Sequence, residues 1–274
     1  MLLEVQDLYK NFAGVQAVQG VSFAVQAGEC VALIGPNGAG KSTTFACIAG
    51  QLEASAGQIR WCGQDLSGVP PAQRLQRGLA RTFQVAQVFD ALSVWQNVAL
   101  LVQLPSGLSP WRVLDAGGLS LRDAALQRRV GALLEQVQLL PLALENAGSL
   151  AYGDRKRLEL AMALAGLATH ASASPTVARL LLLDEPAAGL AVAERHSLMA
   201  LVRSLLRNAP PEKPLAVLYT EHNMDAVFGV ADRVLVLMEG RIVAAGSSAA
   251  IASNALVQQR YLGTALGRVE GGDA

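Results

Sequence analysis

Apolar and polar side chains alternate over the first 28 residues. Leu3, Val5 and Leu8, then Val18, Val21 and Phe23, are separated by polar positions. A period near two marks strands with one buried face, so this stretch is expected to form antiparallel strands. The pattern then changes. Residues 30–34, 180–183 and 215–219 are apolar without interruption. Short runs of that kind suit strands buried on both faces, as in a parallel sheet. Residues 234–237, the dipeptide Glu239-Gly240 and then Ile242-Val243 read as a hairpin.

Between these strands the spacing becomes helical. A helix is expected from about Lys41, and others over residues 92–101, 121–139, 157–167 and 194–207, the last stopped by Asn208-Ala209-Pro210-Pro211. Residues 105–120 are rich in Pro, Gly and Ser and read as a loop, as do the small residues 170–174. The segment 89–145 therefore reads as a mostly helical insertion. The Gly-rich tail 266–274 is expected to be mobile.

Composition narrows the picture. A chain of 274 residues suits one α/β domain with an inserted subdomain. Hydrophobic residues make up 52% but aromatics only 5%, so the core must be aliphatic. Mean hydropathy is +0.33, which either an Ala-rich core or an apolar face meeting other subunits accounts for. No stretch reaches the roughly 18 uncharged apolar residues of a membrane span. Glu4, Asp7 and Lys10 rule out a signal peptide at the N-terminus. Basic and acidic residues balance at 22 each with no basic block, so no nucleic-acid partner is expected. Cys30, Cys47 and Cys62 lack the pairing or spacing of a disulfide framework or zinc site, and Cys30 and Cys47 read as core residues.

Two motifs carry chemistry. Gly35-Pro36-Asn37-Gly38-Ala39-Gly40-Lys41-Ser42-Thr43 fits the phosphate-loop pattern, between an apolar strand and a helix. Its glycines let backbone N–H groups converge on the phosphates of ATP. Lys41 reaches the β- and γ-phosphates, and Ser42 offers its hydroxyl to Mg²⁺. The apolar run 180–183 ends in Asp184-Glu185. Asp184 is placed to hold the Mg²⁺ shell. Glu185 faces the other way and can orient or deprotonate a water.

Three further segments resemble the ATP-binding cassettes of ABC transporters, in the order that family has them. Leu150-Ala151-Tyr152-Gly153-Asp154 is similar to the signature, Gln84 in Arg81-Thr82-Phe83-Gln84 to the Q-loop, and His222 to the switch histidine. Phe12 lies where the family places an aromatic that stacks on adenine. The resemblance covers nearly all of residues 1–265. The Arg81 to Gln84 segment with Phe89, Ser93-Val94 and Gln96-Asn97 resembles the LivG-type subunits of branched-chain amino acid importers. So do the signature, Asp184 through Leu190, Glu221-His222 and Tyr261-Leu262-Gly263.

The resemblance implies a P-loop NTPase (RecA-like) α/β core with a mostly parallel sheet, at about 1–85 and 158–265. It adds an N-terminal antiparallel β subdomain and an inserted α-helical subdomain at about 86–157. It implies a second ATPase subunit, with ATP and Mg²⁺ between one chain's phosphate loop and the other's signature. Gln84 would reach the metal and pass motion on, with Glu185, His222 and Lys41 as catalytic groups. Further partners would be two transmembrane permease subunits and, indirectly, a periplasmic or lipid-anchored solute-binding protein, with this chain on the cytoplasmic face of the membrane. Three features depart from the family. Asp154 replaces a Gln, Ala191 replaces an Asp or Asn, and the loop 167–178 is long. An anion at position 154 is unfavourable near phosphates unless a cation such as Arg155 or Lys156 neutralises it, and this favours a heterodimer.

Overall fold

The computed structural model describes residues 1–82, 84, 86–103, 123–170, 178–222 and 224–259. The expected alternation produces the first sheet. Strand β1 (Leu3–Phe12) buries Leu3, Val5 and Leu8 and pairs antiparallel with β2 (Val15–Val25), Leu3 opposite Val25 and Phe12 opposite Val15. On its other side β1 pairs with β4 (Ala56–Trp61), and β5 (Gln64–Asp65) closes the order β2-β1-β4-β5.

The uninterrupted apolar runs build the second sheet. Its order is β10-β9-β3-β8-β7-β6. These are β3 (Cys30–Ile34), β6 (Leu79–Arg81), β7 (Arg179–Asp184), β8 (Leu215–Glu221), β9 (Arg233–Met238) and β10 (Arg241–Gly246). All neighbours are parallel except the β9–β10 hairpin. Every residue of β3 and β8 is buried. Their side chains divide between two cores: Cys30, Ala32 and Ile34 face the helices, while Val31 and Leu33 face the first sheet. That division keeps both faces apolar along β3 and along β8 until Thr220 and Glu221 at its end. Cys47 is also buried, and Cys62 is exposed.

The helices are α1 (Lys41–Ala49), α2 (Pro71–Gln76), α3 (Val94–Gln103), α4 (Ala124–Gln136), α5 (Tyr152–His170), α6 (Val192–Arg207), α7 (Met224–Phe228) and two short turns of helix at the C-terminal end, α8 (Ser248–Ala252) and α9 (Ala255–Val257). Val94, Val98 and Val102 of α3, Leu126, Val130 and Leu134 of α4, and Leu158, Ala161 and Ala165 of α5 join the core on one face of the parallel sheet. Among the described residues no helix is long and apolar enough to cross a membrane.

Some boundaries differ from expectation. The helix expected at 157–167 runs from Tyr152 to His170, although its core-packed residues lie between Leu158 and Leu167. The boundary placed at 157 thus falls inside α5. The helix expected at 121–139 spans Ala124–Gln136, and Asp123 caps it by accepting from the N–H groups of Ala125 and Leu126. The expected loops at 105–120 and 171–174, Phe83, Tyr261-Leu262-Gly263 and the tail 266–274 lie outside the described residues. Strands β4 to β6 and helix α2 have no reading in the sequence pattern. Arg74 organises that region: its buried guanidinium donates to the carbonyls of Cys47, Ile48, Leu66 and Val69.

Candidate active site

The phosphate loop links the end of β3 to the start of α1. Gly35 has φ 155° and Gly40 has φ 100°. A Cβ at Gly35 would lie 2.0 Å from the Leu237 carbonyl oxygen, and one at Gly40 2.3 Å from that of Ala17. No side chain fits at either place, so glycine is required. Pro36, Asn37 and Gly38 are open to solvent, and Ala39 is buried beneath them. Gly40 offers no side-chain cap to α1, so the first-turn N–H groups remain available to an anion. Lys41 is only 6% exposed, and its Nζ donates to the carbonyls of Gly35 (2.7 Å) and Pro36 (3.1 Å). Burial lowers its pKa, while Glu185, Asp184 and Glu221 act to raise it. Ser42 is exposed and Thr43 half-buried at the same helix start. Open loop, uncapped helix start and inward lysine together fit a polyphosphate.

The parallel register lines up the other groups. Ile34 lies opposite Glu221, and Asp184 opposite Thr220. Asp184, 5% exposed, accepts from Thr220 Oγ1 at 2.8 Å and from Arg81 Nη2 at 2.7 Å. Arg81 also bonds Gln51. Glu185 turns the other way, as expected. Its Oε2 accepts from Gln84 Nε2 at 3.2 Å and lies 3.6 Å from His222 Nδ1. Four expected residues, Gln84, Asp184, Glu185 and His222, are thus brought to one end of the sheet. The Ser42 hydroxyl, the Asp184 carboxylate and the Gln84 amide are hard oxygen donors, a set suited to Mg²⁺.

Sequence reasoning assigned no site role to Arg81, Thr220 or Glu221. The available signal was their charge or polarity at the ends of otherwise apolar strands. Lys156, 4% exposed, does not turn to Asp154. Instead its Nζ donates to the Gln84 carbonyl at 2.7 Å and lies 3.8 Å from Glu159. Arg155 pairs with Asp90. Neither expected cation meets Asp154. The carboxylate is 3.6 Å from Arg157, one helical turn on, because i and i+3 share a helix face.

The signature segment opens α5. Leu150 is half-buried against the core, Ala151 is exposed, and Tyr152 packs where a Cβ on Gly189 would meet its ring at 3.2 Å. Gly153 faces Glu194, whose carboxylate reaches back to the N–H of Ala191 at 3.1 Å. The signature and the loop following Glu185 therefore lie against one another within this chain. Phe12 ends β1 at 42% exposure with Lys10 Nζ 5.0 Å above its ring. Its ring is outside both cores and accessible for stacking.

Comparison with known proteins agrees with this geometry. Residues 18–188 match the family model described as ABC transporter. The high-affinity branched-chain amino acid transport ATP-binding protein LivG of Escherichia coli K12 is 37% identical, covering 96% of this chain and 98% of the relative. BraF of Pseudomonas aeruginosa, described in the same terms, is 35% identical with 96% and 98% covered. The crystal structure of the ADP conformation of MJ1267, an ATP-binding cassette of an ABC transporter, superposes with a TM-score of 0.78 at 28% identity, covering 96% of this chain and 98% of that one. The chain belongs to the ABC transporter family and is one of its ATP-binding, ATP-hydrolysing subunits.

Proposed function

We propose that this chain energises the import of branched-chain or related hydrophobic amino acids through separate membrane subunits. The observation that carries it is the joining of a phosphate loop, Asp184, Glu185, Gln84 and His222 at one sheet end, in a chain similar along its length to LivG and BraF. Gly35 to Thr43 hold the phosphates of ATP, with Lys41 leaving its loop carbonyls for the β- and γ-oxygens. Phe12 stacks on the adenine. Ser42, Asp184 and Gln84 would hold Mg²⁺, whose charge would offset that of the phosphates. Glu185 orients and deprotonates the attacking water, and His222 and Gln84 fix its carboxylate. Leu150 to Asp154 serve the ATP held by a second ATPase subunit.

The chain works at the cytoplasmic face of the membrane with two permease subunits, and a solute-binding protein delivers cargo to them. A groove of about 360 Å³, lined by Leu75, Gln87, Leu101, Met162 and Ala163 among others, lies between α2, α3 and α5. It is mostly apolar and borders the segment after Gln84, which makes it the seat for a permease element. The test is to purify the tagged chain from membranes with its co-purifying subunits and reconstitute them in vesicles with the binding protein. ATP-driven uptake of labelled leucine, isoleucine or valine is expected. Uptake of urea or a short amide instead, or co-purification without permeases, refutes the reading.

A further inference from the structure

Glu185 has φ 45°, a left-handed backbone that a side chain of its size disfavours. The other described non-glycine residues with positive φ lie in hairpin turns (Ala13, Cys62, Glu239), at a bulge in β1 (Asp7) and after α4 (Gln138). Glu185 alone among them stands between a buried strand end and the groups of the candidate site. Something must hold it there.

Two consecutive residues of β8 do so. The Thr220 hydroxyl donates to Asp184 Oδ1 at 2.8 Å and accepts from the N–H of Glu185 at 2.9 Å. Its proton is therefore committed, and its lone pair faces the strained residue. Glu221 is 1% exposed. Its Oε1 accepts from the N–H of Ala187 at 3.1 Å and its Oε2 from the N–H of His222 at 3.1 Å. An ionised carboxylate accepts at both oxygens, whereas a glutamine amide has one acceptor and would turn an NH₂ group on one of the two N–H donors. Burying that charge is offset by Lys41 and Lys156, both of which feel it.

We propose that Thr220 and Glu221 are positioning residues for ATP hydrolysis. They clamp residues 185–187 at both ends and hold Glu185 in the conformation that turns its carboxylate to Gln84 and His222. Glu221 ties that segment to the backbone of His222 as well, so the two loops keep a fixed spacing. The proposal rests on the reading of Glu185 as the group that activates water.

The test uses Thr220→Val and Glu221→Gln in the assembled transporter, with Thr220→Ser as the conservative control. Turnover, ATP affinity and hydrogen exchange of the amides of Glu185 and Ala187 are measured. Each of the first two variants is expected to lose about 100-fold in kcat, the scale of a misplaced reacting group. ATP affinity should fall far less than turnover, since neither residue belongs to the phosphate loop and each reaches Lys41 or Asp184 only from behind. Exchange should accelerate, and Thr220→Ser should restore both rate and protection. Wild-type turnover, or wild-type exchange, in both Thr220→Val and Glu221→Gln overturns the clamp. Should Glu221→Gln fail to fold, Thr220→Val decides alone. Glu185→Gln, assayed alongside, separates the two claims. Wild-type turnover by that variant removes the role of Glu185, and exchange in the clamp variants still reads whether Thr220 and Glu221 hold the segment.

Discussion

Lys41 makes two bonds to its own loop, and both accept from an ammonium that burial has already made costly to keep charged. Phosphate oxygens are stronger partners than carbonyls, so on the proposed role nucleotide would draw the side chain out. Lys41→Ala is expected to abolish ATP binding in a calorimetric titration, and wild-type affinity would place the phosphates elsewhere. Phe12 is outside both cores, so Phe12→Ala should weaken ATP by about 1–3 kcal/mol, the contribution of one base stacked on an aromatic. Thermal stability should be unchanged; a lower melting temperature with unchanged affinity would make Phe12 a structural residue of the first sheet. Phe12 is assigned by resemblance to the family, whereas the phosphate loop and Asp184-Glu185 were legible because their signal is local: a glycine pattern and a carboxylate pair after four leucines. Thr220 and Arg81 were not. Their meaning depends on Asp184, which lies 36 and 103 positions away and reaches them only through the sheet register.

Among the elements, the strands read from uninterrupted apolar runs stand where parallel pairing requires them, because burial on both faces leaves a strong pattern. Strands β4 to β6 left none: β5 has two exposed residues and β6 only three residues in all. The region is held by four backbone carbonyls on Arg74, and carbonyls carry no sequence signal. Helix α5 shows the opposite case, a strong pattern with a start too early to read, since Tyr152 and Gly153 resemble an approach to a helix rather than its first turn. The turn joining β3 to α1 is tight enough to test by one atom. In Gly35→Ala the added Cβ meets the Leu237 carbonyl on β9, and relief requires parting two strands or deforming the loop. A loss of about 1–3 kcal/mol, the usual cost of overpacking, should appear in denaturant unfolding together with weaker nucleotide binding. Wild-type stability would mean that the loop relaxes without disturbing β9.

For the whole molecule, the expected pairing with a different ATPase subunit needs a revised argument. Arg157 meets Asp154, so the carboxylate adds little repulsion at a subunit seam, and a half-exposed pair of that kind contributes under about 1 kcal/mol. What remains is Ala191, which caps α6 without a polar side chain and so offers none across the seam. With Mg-ATP, the Glu185→Gln chain alone is expected to stay monomeric by light scattering and to pair once the second ATPase is added; a tight dimer of this chain alone refutes it. The bond between Arg81 and Asp184 bears on a different property, the behaviour of the resting protein toward chelators. A buried carboxylate that serves a divalent ion is usually left with an uncompensated charge when the ion departs. Here Arg81 and Thr220 already occupy both of its oxygens. Excess EDTA should therefore leave the melting temperature of the nucleotide-free chain unchanged, while the Arg81→Met chain melts lower with or without the chelator. The cassette keeps a counter-ion of its own in Arg81, so on the proposed role of Asp184 its architecture would not depend on a metal arriving with ATP.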